Sequence, residues 1–222
     1  MFDHIAPRYD FLNHLLSANI DKIWRRKVRR LLEQERPRSI LDVATGTGDL
    51  AIELARLQPE RIIGVDISAN MLELGKRKIQ ARHLDGLITF QKADSENLPF
   101  ADNSFDAVTV AFGVRNFENL EAGLAEMTRV LKPGCRLVVL EFSKPSVFPF
   151  RELFNLYFHY ILPAIGRFFS RDRRAYSYLP ESVKAFPEGQ KFMSLLQAAG
   201  INHVKCISLT FGIASVYTGT KS

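Results

Sequence analysis

One stretch limits what this chain can fold into more than any other. Ser39 to Ala44 is a short, mostly apolar run of strand character that passes into Thr45-Gly46-Thr47-Gly48, and Leu50, Leu54 and Leu57 then recur on one face of a helix. A strand, a glycine turn and a helix in direct succession make a nucleotide loop. Gly46 and Gly48 can take positive φ and leave no Cβ between backbone and ligand, while the first-turn amides of the helix point into the space above the strand.

The composition of the loop narrows the ligand. A dinucleotide fingerprint, G-x-G-x-x-G, needs a third glycine for close helix packing beneath a pyrophosphate. Here the residues read G-T-G-D-L-A: Ala51 replaces the last glycine, and Asp49 puts a carboxylate where it would repel a pyrophosphate. Asp42 adds a second negative group facing the loop, and two carboxylates suit a cationic ligand such as S-adenosylmethionine, which carries a sulfonium and an ammonium. The next strand, Arg61 to Val65, ends in Asp66 with Ile67 beside it, at about the 20-residue separation of the acid that bonds ribose hydroxyls. Both nucleotide classes use that acid, so Asp66 supports adenosine without choosing between them. A lone G-x-G would mean only turn glycines and solvated aspartates; the whole strand-loop-helix-strand series favours a nucleotide.

The remaining order is regular. Ser68 caps a helix with Met71, Leu72 and Ile79 inward; a strand at Leu87 to Gln91 leads to Asp94-Ser95, placed for an adenine amino group; a fourth strand, Phe105 to Phe112, precedes Gly113-Val114-Arg115-Asn116. Leu120, Leu124, Met127 and Leu131 form a helix face stopped by Lys132-Pro133-Gly134, and a fifth strand spans Arg136 to Phe142. Alternation of this kind calls for a parallel sheet covered on both faces, with its ligand at the carboxyl ends of the strands. After a helix from Glu188 to Ala199, the strands His203 to Leu209 and Ile213 to Thr220 are too close in sequence for a parallel crossover and must pair as a hairpin. The expectation is an α/β class I methyltransferase, Rossmann-like fold: a mostly parallel seven-stranded sheet ending in an antiparallel hairpin.

Two stretches lie outside this alternation. Ile20, Ile23, Trp24, Val28, Leu31 and Leu32 recur at helical spacing opposite Lys22, Arg25, Arg26, Arg29 and Arg30, which account for much of the net charge of +6. That basic face reads as a solvated surface, a nucleic-acid patch or a patch for anionic lipid head groups. Between Phe148 and Phe169, nine further aromatic and aliphatic residues precede Arg171, Arg173 and Arg174. They read either as a helix stripe packed on the domain or as an apolar lid for a greasy substrate near a membrane surface. The 222 residues suit one domain, with 1–35 as a helical cap and 145–185 as an inserted lid. Cys135 and Cys206 lack metal-ligand or disulfide spacing, so no metal is expected. No charged segment followed by an apolar one stands at Met1 and no run of 18 apolar residues occurs, so a cytoplasmic chain is expected, with the lid and basic face suited to the inner side of a membrane.

Four stretches resemble one family, the quinone-biosynthesis C-methyltransferases that act on demethylmenaquinol and on a related polyprenyl-methoxybenzoquinol. They are Tyr9-Asp10-Phe11-Leu12-Asn13 on to Trp24, Phe112-Gly113-Val114-Arg115-Asn116, Arg129 to Gly134 through Glu141-Phe142-Ser143, and Ala175 to Ser182. Departures are Thr45 for a usual glycine, where it would tighten the loop on the methionine moiety, Asp21 for histidine, Leu12 for methionine and Cys135 for a small residue. The family usually carries a further N-terminal stretch, which makes Met1 the start of a shortened form on this reading. The resemblance implies S-adenosylmethionine as cofactor, held at Thr47, Asp66, Asp94, Ser95 and Ala111 with Gly46, Gly48 and Met71 as neighbours; Ala111 rests on the resemblance alone. It also implies a polyprenylated quinol as partner, with no nucleic acid.

The implied reaction sets the catalytic candidates. A quinol carbon becomes nucleophilic when its hydroxyl loses a proton, so Arg115 is expected to face the developing oxyanion. Its alternative is a structural salt bridge. Asn116, Tyr9, His14 and Tyr176 are candidates for ring contacts or a water-mediated base. An RNA methyltransferase is the competing class; base-amino methylation usually brings Asn or Asp, Pro-Pro and an aromatic after strand four, which Ala111-Phe112-Gly113-Val114 lacks.

Overall fold

The structure, a computed structural model, describes residues 19–145, 147–156 and 181–222. Seven strands occur in chain order: β1 (Ser39–Val43), β2 (Arg61–Asp66), β3 (Ile88–Lys92), β4 (Phe105–Ala111), β5 (Leu131–Phe142), β6 (Ile201–Leu209) and β7 (Ala214–Lys221). They form one sheet in the order β3-β2-β1-β4-β5-β7-β6. The first five are parallel, and β7 runs antiparallel between β5 and β6, so the expected hairpin closes the sheet. The chain leaves β1 to one side for β2 and later returns to its other side for β4. That reversal opens a crevice above the carboxyl ends of β1 and β4.

Alternation along the strands divides the core between two faces. Ile40 packs with Trp24, Val28 and Leu32 of α1 (Ile20–Leu32) and with Leu50 and Leu54 of α2 (Asp49–Leu54). Leu41, its neighbour, packs on the other side with Leu124 and Met127 of α4 (Leu120–Val130) and Phe192 and Leu196 of α6 (Gln190–Ala198). Between them in sequence, α3 (Ala69–Gln80) follows β2 with Ser68 as its cap, the Ser68 hydroxyl accepting from the Met71 amide at 3.3 Å.

Three expectations need correction. Lys132-Pro133-Gly134 does not separate helix from strand: β5 already begins at Leu131 opposite Phe105, and the register then jumps so that Ala107 faces Arg136, the extra residues bulging out around Gly134 at φ +74°. Ile23 lies 60% exposed instead of facing inward. Arg25 and Arg29 leave the solvated face assigned to them: Arg25 is buried on Asp21, and Arg29 bonds Glu53 at 2.9 Å, which leaves Lys22, Arg26 and Arg30 as exposed charges of α1. Of the aromatic stretch, α5 (Phe150–Leu156) is described, with the Phe150 ring stacked on Phe211 at 3.7 Å between centroids. The rest of the expected lid up to residue 180, including Tyr176, and the cap residues 1–18, including Tyr9 and His14, lie outside the described residues.

Candidate functional site

The crevice above β1 is held open by its backbone. Gly46 sits at φ +58° with nothing within 4 Å of the position a Cβ would take, so the loop presents bare main chain to an open space. Gly48, at φ +83°, faces away from that space; a Cβ there would come within 2.4 Å of the Phe90 ring. Asp66, at the end of β2, secures the loop from the side: one carboxylate oxygen accepts from the Gly46 amide at 2.8 Å, the other from the Ser68 amide at 2.9 Å. The cleft is lined by nine of the ten residues read as cofactor contacts: Asp42, Gly46, Thr47, Asp66, Ile67, Met71, Asp94, Ser95 and Ala111. Gly48 is the tenth, and it shapes the loop from behind.

Asp42 lies at the floor of this cleft and is 1% exposed. Its two oxygens accept from the hydroxyls of Thr45 (2.6 Å) and Thr109 (2.8 Å). Burial pushes its carboxyl up to about 6, opposed by those two hydroxyls, by Arg25 and by the Ala51 amide. Thr45 therefore braces Asp42, where the sequence had suggested it would tighten the loop on a ligand. Asp49 also differs from expectation. It is ion-paired to Lys78 of α3 and lies 3.7 Å from Arg25, so its charge is compensated by protein cations.

The catalytic candidates separate. Asn116 lines the cleft. Arg115 is not among the lining residues: its guanidinium bonds Glu141 at 2.5 Å and the Phe112 carbonyl at 2.6 Å, and the Arg115 and Glu141 side chains are 7% and 0% exposed. This is the salt-bridge alternative, and the reason is the buried carboxylate of β5, which must have a cation beside it. Burial pushes the Glu141 carboxyl upward, against the pull of Arg115. Several lining residues were missed in the sequence, among them Arg25, Glu96, Phe117 and Glu118. The spacing of Asp21 and Arg25, four apart on one helix, was the available sign that Arg25 is paired.

A bare backbone cradle, acids at the ends of β1, β2 and after β3, and an apolar wall suit an adenosine joined to a cationic chain; the sheet and this cleft define a class I methyltransferase. The fold is shared with solved methyltransferases: one from Thermotoga maritima (TM-score 0.67, 21% identity, 100% of this chain and 98% of that one) and one from Aquifex aeolicus (0.56, 19%, 83% and 82%). The chain belongs to the ubiE/COQ5 methyltransferase family, whose pattern it matches over residues 1–221. It is an S-adenosylmethionine-dependent methyltransferase. Its relatives include a demethylmenaquinone methyltransferase of Bacteroides fragilis, 50% identical over 222 residues (100% of this chain, 91% of that one). Another is the ubiquinone/menaquinone biosynthesis C-methyltransferase UbiE of Geotalea daltonii, 49% identical over 223 residues (100% and 94%).

Proposed function

We propose that this enzyme methylates a ring carbon of a polyprenylated quinol, converting demethylmenaquinol to menaquinol. The observation that carries the reading is the Bacteroides fragilis relative, half identical over the whole of this chain and named for that acceptor. The double name of the Geotalea daltonii relative favours a second acceptor, 2-polyprenyl-6-methoxy-1,4-benzoquinol of ubiquinone synthesis.

S-adenosylmethionine supplies an electrophilic methyl group on sulfur. What is left to the chain is orientation and the handling of one proton; orientation alone can lower the barrier by roughly 7–11 kcal/mol. On this reading Asp66 takes the ribose hydroxyls, Asp94 and Ser95 the adenine edge, and Asp42 faces the ammonium across Gly46 and Thr47. Ile67, Met71 and Ala111 supply apolar walls. Asn116 contacts a ring oxygen of the acceptor, and Phe112 and Phe117 bound the ring's side of the cleft. Arg115 acts as a positioning residue, since its bond to the Phe112 carbonyl fixes the turn that carries Asn116. Tyr9, His14 and Tyr176 are the proposed ring contacts, or partners of the water that removes the hydroxyl proton. The cap (1–35) and lid (145–185) exclude water from the reacting pair, and the lid meets the prenyl tail at the inner face of a membrane.

Labelled S-adenosylmethionine offered anaerobically to both reduced rings, with the product identified, tests the proposal. Methylated naphthoquinol is the expected product. Label in neither ring, or in RNA supplied as a competitor, overturns it.

A further inference from the structure

The cleft has a charge imbalance that the contacts assigned so far do not resolve. Asp42, Asp49, Asp66, Asp94, Glu96 and Glu118 all line it, and they suit a sulfonium and an ammonium. The donor also carries an α-carboxylate, which such a lining would repel. Among the described residues one cation lines the same space: Arg25.

Arg25 is built into its position. It comes from the inward side of α1, is 8% exposed, and lies with its guanidinium carbon 5.9 Å from the centroid of the Phe112 ring. One arm of its fork is bonded to Asp21, itself 3% exposed, which sets the orientation of the plane. The other arm points to Asp49, at 3.7 Å, beyond hydrogen-bond range. Asp49 has a closer cation in Lys78, which also donates to the Thr47 hydroxyl at 2.9 Å. The second arm of Arg25 is therefore held in the cleft by a loose contact to an acid that another cation already neutralises.

We infer that Arg25 is the anchor for the donor's α-carboxylate, which replaces the loose contact to Asp49 with a charge-assisted hydrogen bond while Asp21 keeps the fork in place. The donor's amino-acid end then bridges the loop after β1 and helix α1, and the single buried arginine of α1 that faces the cleft has a use. An exposed lysine would be a poor substitute, since it offers no second arm to be fixed by Asp21.

The test separates the carboxylate from the rest of the ligand. Calorimetry compares S-adenosylmethionine with its decarboxylated form, which keeps the adenosine, the sulfonium and the amine. Arg25→Gln should weaken the first by roughly 10-fold to 100-fold, in line with loss of one charge-assisted bond, and leave the second within about twofold. Arg25→Lys should fall between, and it carries the same comparison if the glutamine variant does not fold. Lys22→Gln, on the exposed side of α1, should change neither. Equal losses for both ligands would make Arg25 a structural brace, and undiminished binding of S-adenosylmethionine would remove it from the site; either overturns the inference. The measurement involves no acceptor, so it stands apart from the quinol assignment.

Discussion

Asp42 gives the cleft a pH dependence of its own, because burial raises its carboxyl while both its oxygens are held by threonines. Its carboxyl is raised from 3.8 to about 6 by burial. The folded state therefore binds the proton more tightly than the unfolded chain. The stability from that proton is complete below 3.8 and is lost as pH rises through about 6, a change of about 3 kcal/mol that Asp42→Asn should remove from the pH dependence of denaturant melts. Donor binding runs the opposite way, since the ionised carboxylate attracts the ammonium. Affinity measured by calorimetry should rise between pH 5 and about 6.5 and then level, and the Asn variant should be flat across that window. Glu141 poses the complementary case. Cutting it to Ala leaves the Arg115 guanidinium buried without its carboxylate and should cost about 3–5 kcal/mol in urea unfolding. Arg115→Ala should lower kcat with little change in donor affinity, because the turn bearing Asn116 moves and the cleft floor does not; unchanged turnover would remove Arg115 from the mechanism.

At the scale of elements, the loop after β1 is braced by α3 as much as by its own glycines. Gly75 lets that helix close on the loop: a Cβ there would meet the Thr47 backbone at 3.2 Å and the Phe90 ring at 2.8 Å. One turn on, Lys78 reaches Thr47 and Asp49. Gly75→Ala should therefore cost about 1–3 kcal/mol and weaken S-adenosylmethionine binding severalfold. Adding Phe90→Ala should recover part of the affinity loss, since the two sites share one contact, and strictly additive effects would refute the brace. This brace was not legible in the sequence, where Gly75 is one glycine inside an amphipathic helix. The strands, the hairpin, Gly46, Asp66 and the Ser68 cap were legible because each follows from local periodicity or from a loop within a few residues. The Arg115–Glu141 pair, 26 residues apart, depends on which strand lies beside which, and periodicity carries no information on that; for Arg25 the one local sign was its spacing of four from Asp21 on the same helix. The start of β5 was misread for a related reason: Pro133 and Gly134 signal a break, but the sheet absorbs them as a bulge.

Across the whole molecule, the apolar surface and the cleft share one edge. β7 is antiparallel to β5, so the connection Thr210–Gly212 returns to the carboxyl edge of the sheet, beside the segment that leaves β5. There Phe148 is 75% exposed and Phe211 65% exposed, with Val147 and Leu156 also outward. No helix among the described residues is long and apolar enough to cross a membrane. If the peripheral contact proposed above is made, these exposed apolar side chains mark this edge as the surface to test for it. Large aromatic and aliphatic side chains on the ligand-bearing side suit partial insertion among acyl chains, where a polyprenyl tail also resides. Two charges placed there should act on access and leave the chemistry intact. Phe148→Asp combined with Phe211→Asp should reduce co-sedimentation with anionic phospholipid vesicles and slow methylation of a long-chain quinol embedded in them. Methylation of a short-chain, water-soluble quinol should stay within about twofold of the parent, because neither residue lines the cleft. Equal loss on both acceptors would place the defect in folding or catalysis, and undiminished sedimentation would move the membrane contact away from this edge.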